Sequence, residues 1–367
     1  MNPQHQKRLR KIRKSVKTMG VSALLVSNIK NVSYLTGFTG SAGYLFITPN
    51  SQVLLSDSRY LAQLQDECAE LEVDIRTAGS TMMDSVKRIA DEAKFTSVGF
   101  ESTSLTKHEY DQLASMNPRI DWVPSVGLVE SARAIKDKIE IKAIRRAINL
   151  NQRAFEVITH QLHLDQTERQ IAHNLEHQMR SFGAQGCAFD PIVGVGDRSA
   201  LPHGRPGNKK VGESPFLLID WGAEVDHYMS DLTRVVFTGK VPAKYRKIYE
   251  IVLQAQSAAI KKIRPGVSLK TVDNAARGVI ESAGFGPKFG HGLGHGFGLE
   301  IHETPFISPI HEGKLMPGMV ITIEPGIYLP NFGGVRIEDD ILVTPDGCEV
   351  LSDLPRQIDE CTVDVGR

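Results

Sequence analysis

Apolar residues along the chain change period from one stretch to the next. Within the basic run 7–17, Leu9, Ile12 and Val16, followed by Met19, fall at helical spacing. This predicts an amphipathic first helix with a solvated basic face. After Gly20 the stretch 21–27 reads as a buried strand, and 43–48, 53–56 and 97–100 add further strands. Helical patterns lie between them, over 60–70 and 82–95. Together these describe an α/β domain of roughly 125 residues, a usual domain size. The boundary falls near Pro124 to Glu130, giving domains 1–128 and 129–367. In the second domain a long helical pattern runs from Ser131 to about Gln161. Thr167 and Gln170 have the spacing of a capping box, opening a helix that runs to Ser181. Amphipathic helices follow over 243–263 and 268–283, each ended by Gly or Pro-Gly signals.

Two segments of the second domain read as hairpins that carry carboxylates inside apolar runs. In the segment 320–343, β-branched residues lead to Glu324, turn chemistry occupies Asn331-Phe-Gly-Gly334, and the return strand carries Glu338. The segment 216–237 repeats the layout, with Asp220 and Asp231 interrupting its strands. Between the hairpins lies Phe289-Gly-His291-Gly-Leu-Gly-His295-Gly-Phe-Gly-Leu-Glu-Ile-His302-Glu, in which alternating glycines free the backbone and present three imidazoles.

A carboxylate buried in an apolar strand needs a cation, a hydrogen-bond cage or water. Four such carboxylates and a neutral imidazole carry four negative charges, which two divalent ions would balance. A donor set rich in carboxylate with one histidine favours Mn²⁺, Co²⁺, Fe²⁺ or Zn²⁺, and the lack of a nearby cysteine argues against a thiolate zinc site. Two such ions about 3.5 Å apart would hold a hydroxide available at neutral pH, and that chemistry is hydrolysis.

The order Asp220, Asp231, His295, Glu324, Glu338, with the strings Asp-Leu-Thr-Arg, His-Gly-Leu-Gly-His-Gly, Ile-Glu-Pro-Gly and Gly-Val-Arg-Ile-Glu-Asp, closely resembles the proline-specific pita-bread metallopeptidases. These are the Xaa-Pro aminopeptidases and Xaa-Pro dipeptidases, or prolidases. Asn31-Val-Ser-Tyr-Leu-Thr-Gly-Phe-Thr-Gly40 and Asp57-Ser-Arg-Tyr60 resemble the amino-terminal domain of the same family, so the likeness covers nearly the whole chain. It implies an α+β chain: a carboxy-terminal pita-bread domain behind a smaller α/β domain of the creatinase amino-terminal type. It also implies two divalent ions, Mn²⁺ foremost, in a cytoplasmic homodimer acting on Xaa-Pro peptides. By analogy Asp220 chelates one ion, His295 and Glu324 bind the other, and Asp231 and Glu338 bridge both. A hydroxide held between the ions attacks the carbonyl before proline, and Glu324 passes its proton toward the leaving nitrogen. His203 and His302 are the expected hydrogen-bonding groups at substrate or intermediate, and His291 the expected wall on the proline side. Arg336 is expected to orient Glu338 or meet a substrate carboxylate, and Tyr328 to close the pocket or pack. The aminopeptidase is the favoured form and the dipeptidase its close second, since both share these ligands.

Composition adds exclusions. Net charge is +0 over 367 residues, giving no global reason to expect nucleic acid or a membrane surface. No apolar run approaches the ~20 residues of a membrane span, and the start Met1-Asn-Pro-Gln-His lacks the apolar core of a signal peptide. Cys68, Cys187, Cys348 and Cys361 are scattered without metal or redox spacing, which suits free thiols in a reducing cytosol. His173 and His177 lack the Glu of a His-Glu-x-x-His motif, and Gly194-Val-Gly-Asp-Arg-Ser199 lacks the signatures of a phosphate loop. The alternatives on the same scaffold are a creatine amidinohydrolase and a chaperone or binding module. Retention of all five ligand types speaks against both. A methionine aminopeptidase needs no amino-terminal domain of this size.

Overall fold

The computed structural model describes residues 2–365. Its contacts divide the chain into compact units Met1–Arg133 and Ala134–Arg367, against the 1–128 and 129–367 expected from sequence.

The first unit contains α1 (Pro3–Met19), β1 (Ala23–Val26), α2 (Ile29–Thr36), β2 (Tyr44–Ile47), β3 (Gln52–Ser56), α3 (Leu61–Glu67), β4 (Glu72–Ile75), α4 (Met82–Glu92), β5 (Ser97–Glu101), α5 (Lys107–Met116), β6 (Asp121–Ser125) and α6 (Glu130–Arg133). Its six strands form one mixed sheet in the order β4-β3-β2-β1-β5-β6. Leu9, Ile12 and Val16 of α1 are buried, as the spacing predicts, and the basic face stays outside apart from Arg8. The Asn31 string is structural here. Asn31 is fully buried; its Nδ2 donates to Glu101 and Glu130, and its Oδ1 accepts from Arg133. Asp57 caps the turn after β3 by accepting from the Arg59 amide, the strand-to-helix role its position suggests.

The second unit continues with α7 (Lys138–His160), α8 (Glu168–Ser181), β7 (Gly186–Cys187), β8 (Ile192–Val195), β9 (Phe216–Trp221), β10 (Ala223–Val225), β11 (Tyr228–Met229), β12 (Leu232–Phe237), α9 (Ala243–Ile260) and α10 (Leu269–Ser282). It closes with β13 (Gly294–Gly296), β14 (Glu303–Ile307), β15 (Val320–Ile323), β16 (Gly326–Leu329), β17 (Gly333–Arg336), β18 (Asp339–Val343) and β19 (Cys348–Val350). The helix expected from Ser131 to Gln161 is broken. Asp137 caps α7 by accepting from the Ile139 and Glu140 amides, with Glu140 answering in a capping box. Just before it, the Lys136 amide donates to Gly318 and the Lys136 ammonium pairs with buried Glu303, holding the chain out of helix. The capping box at Thr167 forms as its spacing predicts.

Both carboxylate hairpins exist, and each is bent. β9 pairs with β12 and β10 with β11 in one continuous register, with Asp220 opposite Thr233. β15 pairs with β18 and β16 with β17, again in one register, so Glu324 falls opposite Glu338 in the gap between the two ladders. Side chains alternate across a strand, and the faces sort accordingly. Ile321, Ile323, Ile327, Val335, Ile337 and Ile341 join the core packed on α9 and α10. Thr322, Glu324, Arg336, Glu338 and Asp340 lie at the alternate positions. In the first hairpin Phe216 and Leu218 share that α9/α10 core, while Leu217, Ile219 and Trp221 pack with α7 and α8. Helices thus cover both faces of these strands.

Arg234 of β12, 1 % exposed, stitches the two hairpins from below. It donates to Asp339 Oδ1 at 2.7 Å and to the carbonyls of Thr233, Leu354 and Pro355. Asp339 also accepts from Gln256, Ser352 and Arg356. Removing one partner from a buried ion pair leaves an undercompensated charge. Arg234→Met should therefore lower stability by about 3 kcal/mol, the low end of the range because Arg356 remains. Urea unfolding of the metal-stripped variant beside the parent protein measures this.

Candidate metal centre

Asp220 leaves the end of β9 and Asp231 stands just ahead of β12, while Glu324 and Glu338 occupy the gap in the second hairpin. The two hairpins are joined where the Glu338 amide donates to the Thr233 carbonyl at 3.2 Å. As a result Asp220, Asp231 and Glu338 each bring a carboxylate oxygen within 4.8 Å of the others. Their exposures are 8 %, 5 % and 1 %.

His295 enters from β13 between Gly294 and Gly296. The glycines are required by clearance rather than by unusual backbone angles: a Cβ on Gly294 would sit 2.1 Å from the Thr322 carbonyl oxygen, and on Gly296 2.4 Å from that of Thr304. The His295 amide donates to Thr322 Oγ1, which sets the strand's position. Its Nδ1 donates to the Gly296 carbonyl at 3.1 Å, so Nε2 carries the lone pair. That lone pair faces Glu324 Oε1 at 3.4 Å and Asp231 Oδ2 at 3.6 Å.

Electrostatics make this arrangement costly without a cation. Burial first, then the Glu338 and Asp220 charges, push Asp231 well above the usual carboxylate range. Burial and the Glu324 charge do the same to Glu338. Burial, opposed by Arg336, takes Glu324 to about 8. Asp220 is also raised by burial, though Arg336 offsets part of it. Burial and the neighbouring His302 hold His295 down to about 4, so its lone pair stays available. Asp220 Oδ1 is buried with no hydrogen-bond partner. A lone pair facing two carboxylates, beside an orphaned carboxylate oxygen, is satisfied by cations between them, and this donor set of oxygens and one imidazole suits divalent ions.

The remaining residues divide into supports and walls. Arg336 grips Asp220 rather than Glu338, the partner expected from its place in the strand, because register puts its side chain across from the first hairpin. It also donates to Thr233 Oγ1 at 3.0 Å and to the Tyr328 hydroxyl at 2.8 Å. Tyr328 in turn donates to His291 Nε2 at 3.0 Å, and His291 Nδ1 donates to the Gly292 carbonyl. Both His291 nitrogens are therefore occupied, and burial lowers its pKa to about 4. His302 stacks edge-on against His295 at 4.5 Å between ring centroids, exposed to the cleft. His203 is also exposed and lines the cleft. His173 and His177 lie exposed on α8, away from these groups in sequence and absent from the cleft lining.

Two residues that the sequence reading passed over complete the centre. Thr233 Oγ1 donates to Glu338 Oε2 at 2.6 Å, and Asp340 Oδ2 accepts from the Asp231 amide at 3.3 Å. Their signal was positional: Thr233 stands opposite Asp220, and Asp340 follows Glu338 on the same strand face. All five candidate ligands open onto a cleft of about 890 Å³, walled by Phe189, Phe289, Ile301, Phe306 and Ile310.

Comparison with known proteins agrees with this geometry. Residues 142–345 match the model of metallopeptidase family M24, and residues 8–135 match the creatinase/prolidase N-terminal domain. The chain is 37 % identical over 352 residues to a protein named Xaa-Pro dipeptidase from Pyrococcus horikoshii, covering 95 % of this chain and 98 % of that one. Among solved structures, an Xaa-Pro dipeptidase from Bacillus anthracis superposes with TM-score 0.91 at 36 % identity, covering 96 % of this chain and 99 % of that one. An X-Pro aminopeptidase from Thermotoga maritima does so with TM-score 0.85 at 37 % identity, covering 96 % and 100 %. Among the described residues no helix is long and apolar enough to cross a membrane. With both domain models matched in order along its length, the chain belongs to metallopeptidase family M24, a metallo-exopeptidase with a creatinase-type amino-terminal domain ahead of a pita-bread catalytic domain.

Proposed function

We propose that this protein hydrolyses the peptide bond between an amino-terminal residue and a following proline, using two divalent cations held by Asp220, Asp231, His295, Glu324 and Glu338. The observation that carries the reading is the His295 lone pair facing Asp231 and Glu324, with the orphaned Asp220 oxygen and Glu338 beside it. Relatives named both Xaa-Pro dipeptidase and X-Pro aminopeptidase support the choice of bond. Four carboxylates match the charge of two divalent ions, and an oxygen-rich set favours Mn²⁺, with Co²⁺, Zn²⁺ and Fe²⁺ as alternatives. Bound there, the ions supply Lewis acidity toward the carbonyl and acidify water into a nucleophile at neutral pH.

The chain's own groups do the rest. Asp231 and Glu338, the deepest pair, would serve both ions in this reading. Glu324 lies at the cleft wall, its Oε1 accepting from Thr322 Oγ1 at 3.2 Å, and is positioned to take the proton of the attacking water and return it to the proline nitrogen. His302 and His203, exposed in the cleft, are the donors for the carbonyl oxygen and the substrate backbone. His291, with both nitrogens committed, walls the proline side together with Phe289, whose ring it meets edge-on at 5.0 Å. Arg336 and Tyr328 hold Asp220 and His291 in place from behind.

Metal-stripped protein reloaded with Mn²⁺, Co²⁺ or Zn²⁺ should cleave Ala-Pro or the first bond of Ala-Pro-Ala, and leave Ala-Ala-Ala intact. Inactivity on both proline peptides with every metal would refute the proposal. Asp231→Asn and Glu338→Gln should lose bound metal and more activity than the roughly 100-fold that loss of a supporting group costs. His302→Ala should lower turnover roughly 100-fold while metal content stays unchanged.

The raised carboxylates also predict how the metal-stripped fold responds to pH. Above about pH 7.5, His291, His295 and His302, whose pKa values burial lowers, are neutral in the folded chain and nearly so in the unfolded one, while the folded carboxylates hold protons the unfolded ones have released. Stability of the metal-free protein should therefore fall as pH rises from about 7.5 through 8, following Glu324 at about 8. Saturating Mn²⁺ should remove that slope, because the cation takes the place of the protons. Melting temperatures across this range, with and without metal, check both statements.

A further inference from the structure

A buried carboxylate outside the metal centre organises the loop that carries His203. Glu168, the first residue of α8, is 0 % exposed. Its Oε1 accepts from the Val195 amide at 2.9 Å and from Arg198 Nε at 2.9 Å. Its Oε2 accepts from Arg198 Nε at 2.8 Å and from the Gly207 amide at 2.7 Å. Arg198 in turn donates through Nη2 to the Arg205 carbonyl at 2.6 Å. The backbone repeats the connection: the Glu168 amide donates to the Lys209 carbonyl, and the Arg169 amide to that of Gly207. The start of α8 thus holds both ends of the segment 195–207. His203 lies between those ends, exposed to the cleft.

A charge buried this deeply is costly unless it is paired and hydrogen-bonded, so the groups that donate to it are fixed in place. The other ties on the loop are weaker. Lys209 pairs with Asp197 where both are partly exposed, and exposed ion pairs contribute little. On the cleft side, Arg336 Nη2 reaches the Pro202 carbonyl only at 3.4 Å, long for a hydrogen bond. From Arg198 the fixed position passes inward: the Leu201 amide donates to the Arg198 carbonyl, and the Gly204 amide to the Leu201 carbonyl, at 3.0 Å each. We infer that Glu168 is a positioning residue which, acting through Arg198, sets where His203 meets the substrate. The inference rests on the role proposed above for His203 and adds the group that holds it there. A donor misplaced by about 1 Å costs roughly 100-fold in rate, so a clamp distant from the chemistry controls turnover.

The test is a double-variant cycle on Mn²⁺-loaded protein, using whichever of Ala-Pro and Ala-Pro-Ala the parent cleaves faster. Glu168→Gln should lower kcat/KM roughly 10- to 100-fold with bound metal unchanged, and deuterium uptake by the amides of 195–207 should quicken. His203→Ala should lose at least as much. The double variant should lose no more than His203→Ala alone, because nothing is then left to position. Arg198→Lys keeps the charge beside Glu168 but gives up the guanidinium that also reaches the Arg205 carbonyl. It should act as a milder Glu168→Gln, and it completes the same cycle if Glu168→Gln does not fold. Losses that multiply in the double variant would show that Glu168 acts otherwise than through His203. Loss of bound metal, unchanged deuterium uptake, or full activity in Glu168→Gln or His203→Ala would equally overturn the inference, while leaving the hydrolase reading intact. Parent protein inactive on both peptides would overturn the hydrolase reading first, and this inference with it.

Discussion

Like charge packed away from water is the constraint on which the carboxy-terminal unit is built. Burial raises the pKa of Asp220, Asp231, Glu324 and Glu338, and neighbouring carboxylates raise Asp231, Glu324 and Glu338 further. Two kinds of compensation answer it. A fixed layer lies behind the carboxylates: Arg336 on Asp220, Thr233 on Glu338, Thr322 on Glu324, and the Asp231 amide on Asp340. In front, the lone pair of His295 and the orphaned oxygen of Asp220 face inward, and only cations complete them. The fixed layer holds the donors in place before any ion arrives, which is how a protein gains affinity from preorganisation.

The two bent hairpins make that layering possible. Each keeps one register across a break in its ladder; Asp231, Glu324 and Glu338 stand in the breaks, and Asp220 lies one pair inside the end of the β9–β12 ladder. Continuity of register keeps the apolar alternation intact on either side. The α9/α10 core therefore runs beneath the site without interruption, from Phe216 and Leu218 to Ile337 and Ile341. Below the carboxylates, the buried pairing of Arg234 with Asp339 ties the return strands of both hairpins together. The rigid support and the reactive surface are opposite faces of the same few strands.

The cleft grades from this charged inner end to an apolar wall of aromatic and aliphatic side chains. A proline ring suits such a wall, having no amide hydrogen to satisfy once its peptide bond is formed. Histidines occupy the transition between the two regions: His291 is locked by its neighbours, while His302 and His203 are open to the cleft.

Much of this was legible in the sequence because it depends on local pattern. The hairpins at 216–237 and 320–343 follow from β-branched runs and turn residues, and the capping box at Thr167 from its spacing. Four carboxylates inside apolar strands announce a buried charge problem wherever the strands go. The break before α7 was hidden, because the contacts that hold Lys136 out of helix come from Gly318 and Glu303, far along the chain. The partner of Arg336 was hidden for the same reason: alternation says which face it takes, but not which strand lies across from that face. Thr233 and Asp340 look ordinary in a strand until a second hairpin places a carboxylate or an amide against them. The glycines around His295 read as flexible, and only the neighbouring carbonyls of Thr322 and Thr304 show that they are there for clearance. Sequence by itself determined the elements, their apolar faces and the kinds of donor available, since these rest on the period of side chains along one strand or helix. Tertiary structure alone decided which donors meet and which partners, such as Arg336 on Asp220, hold them in place, because those are contacts between segments that no local periodicity encodes.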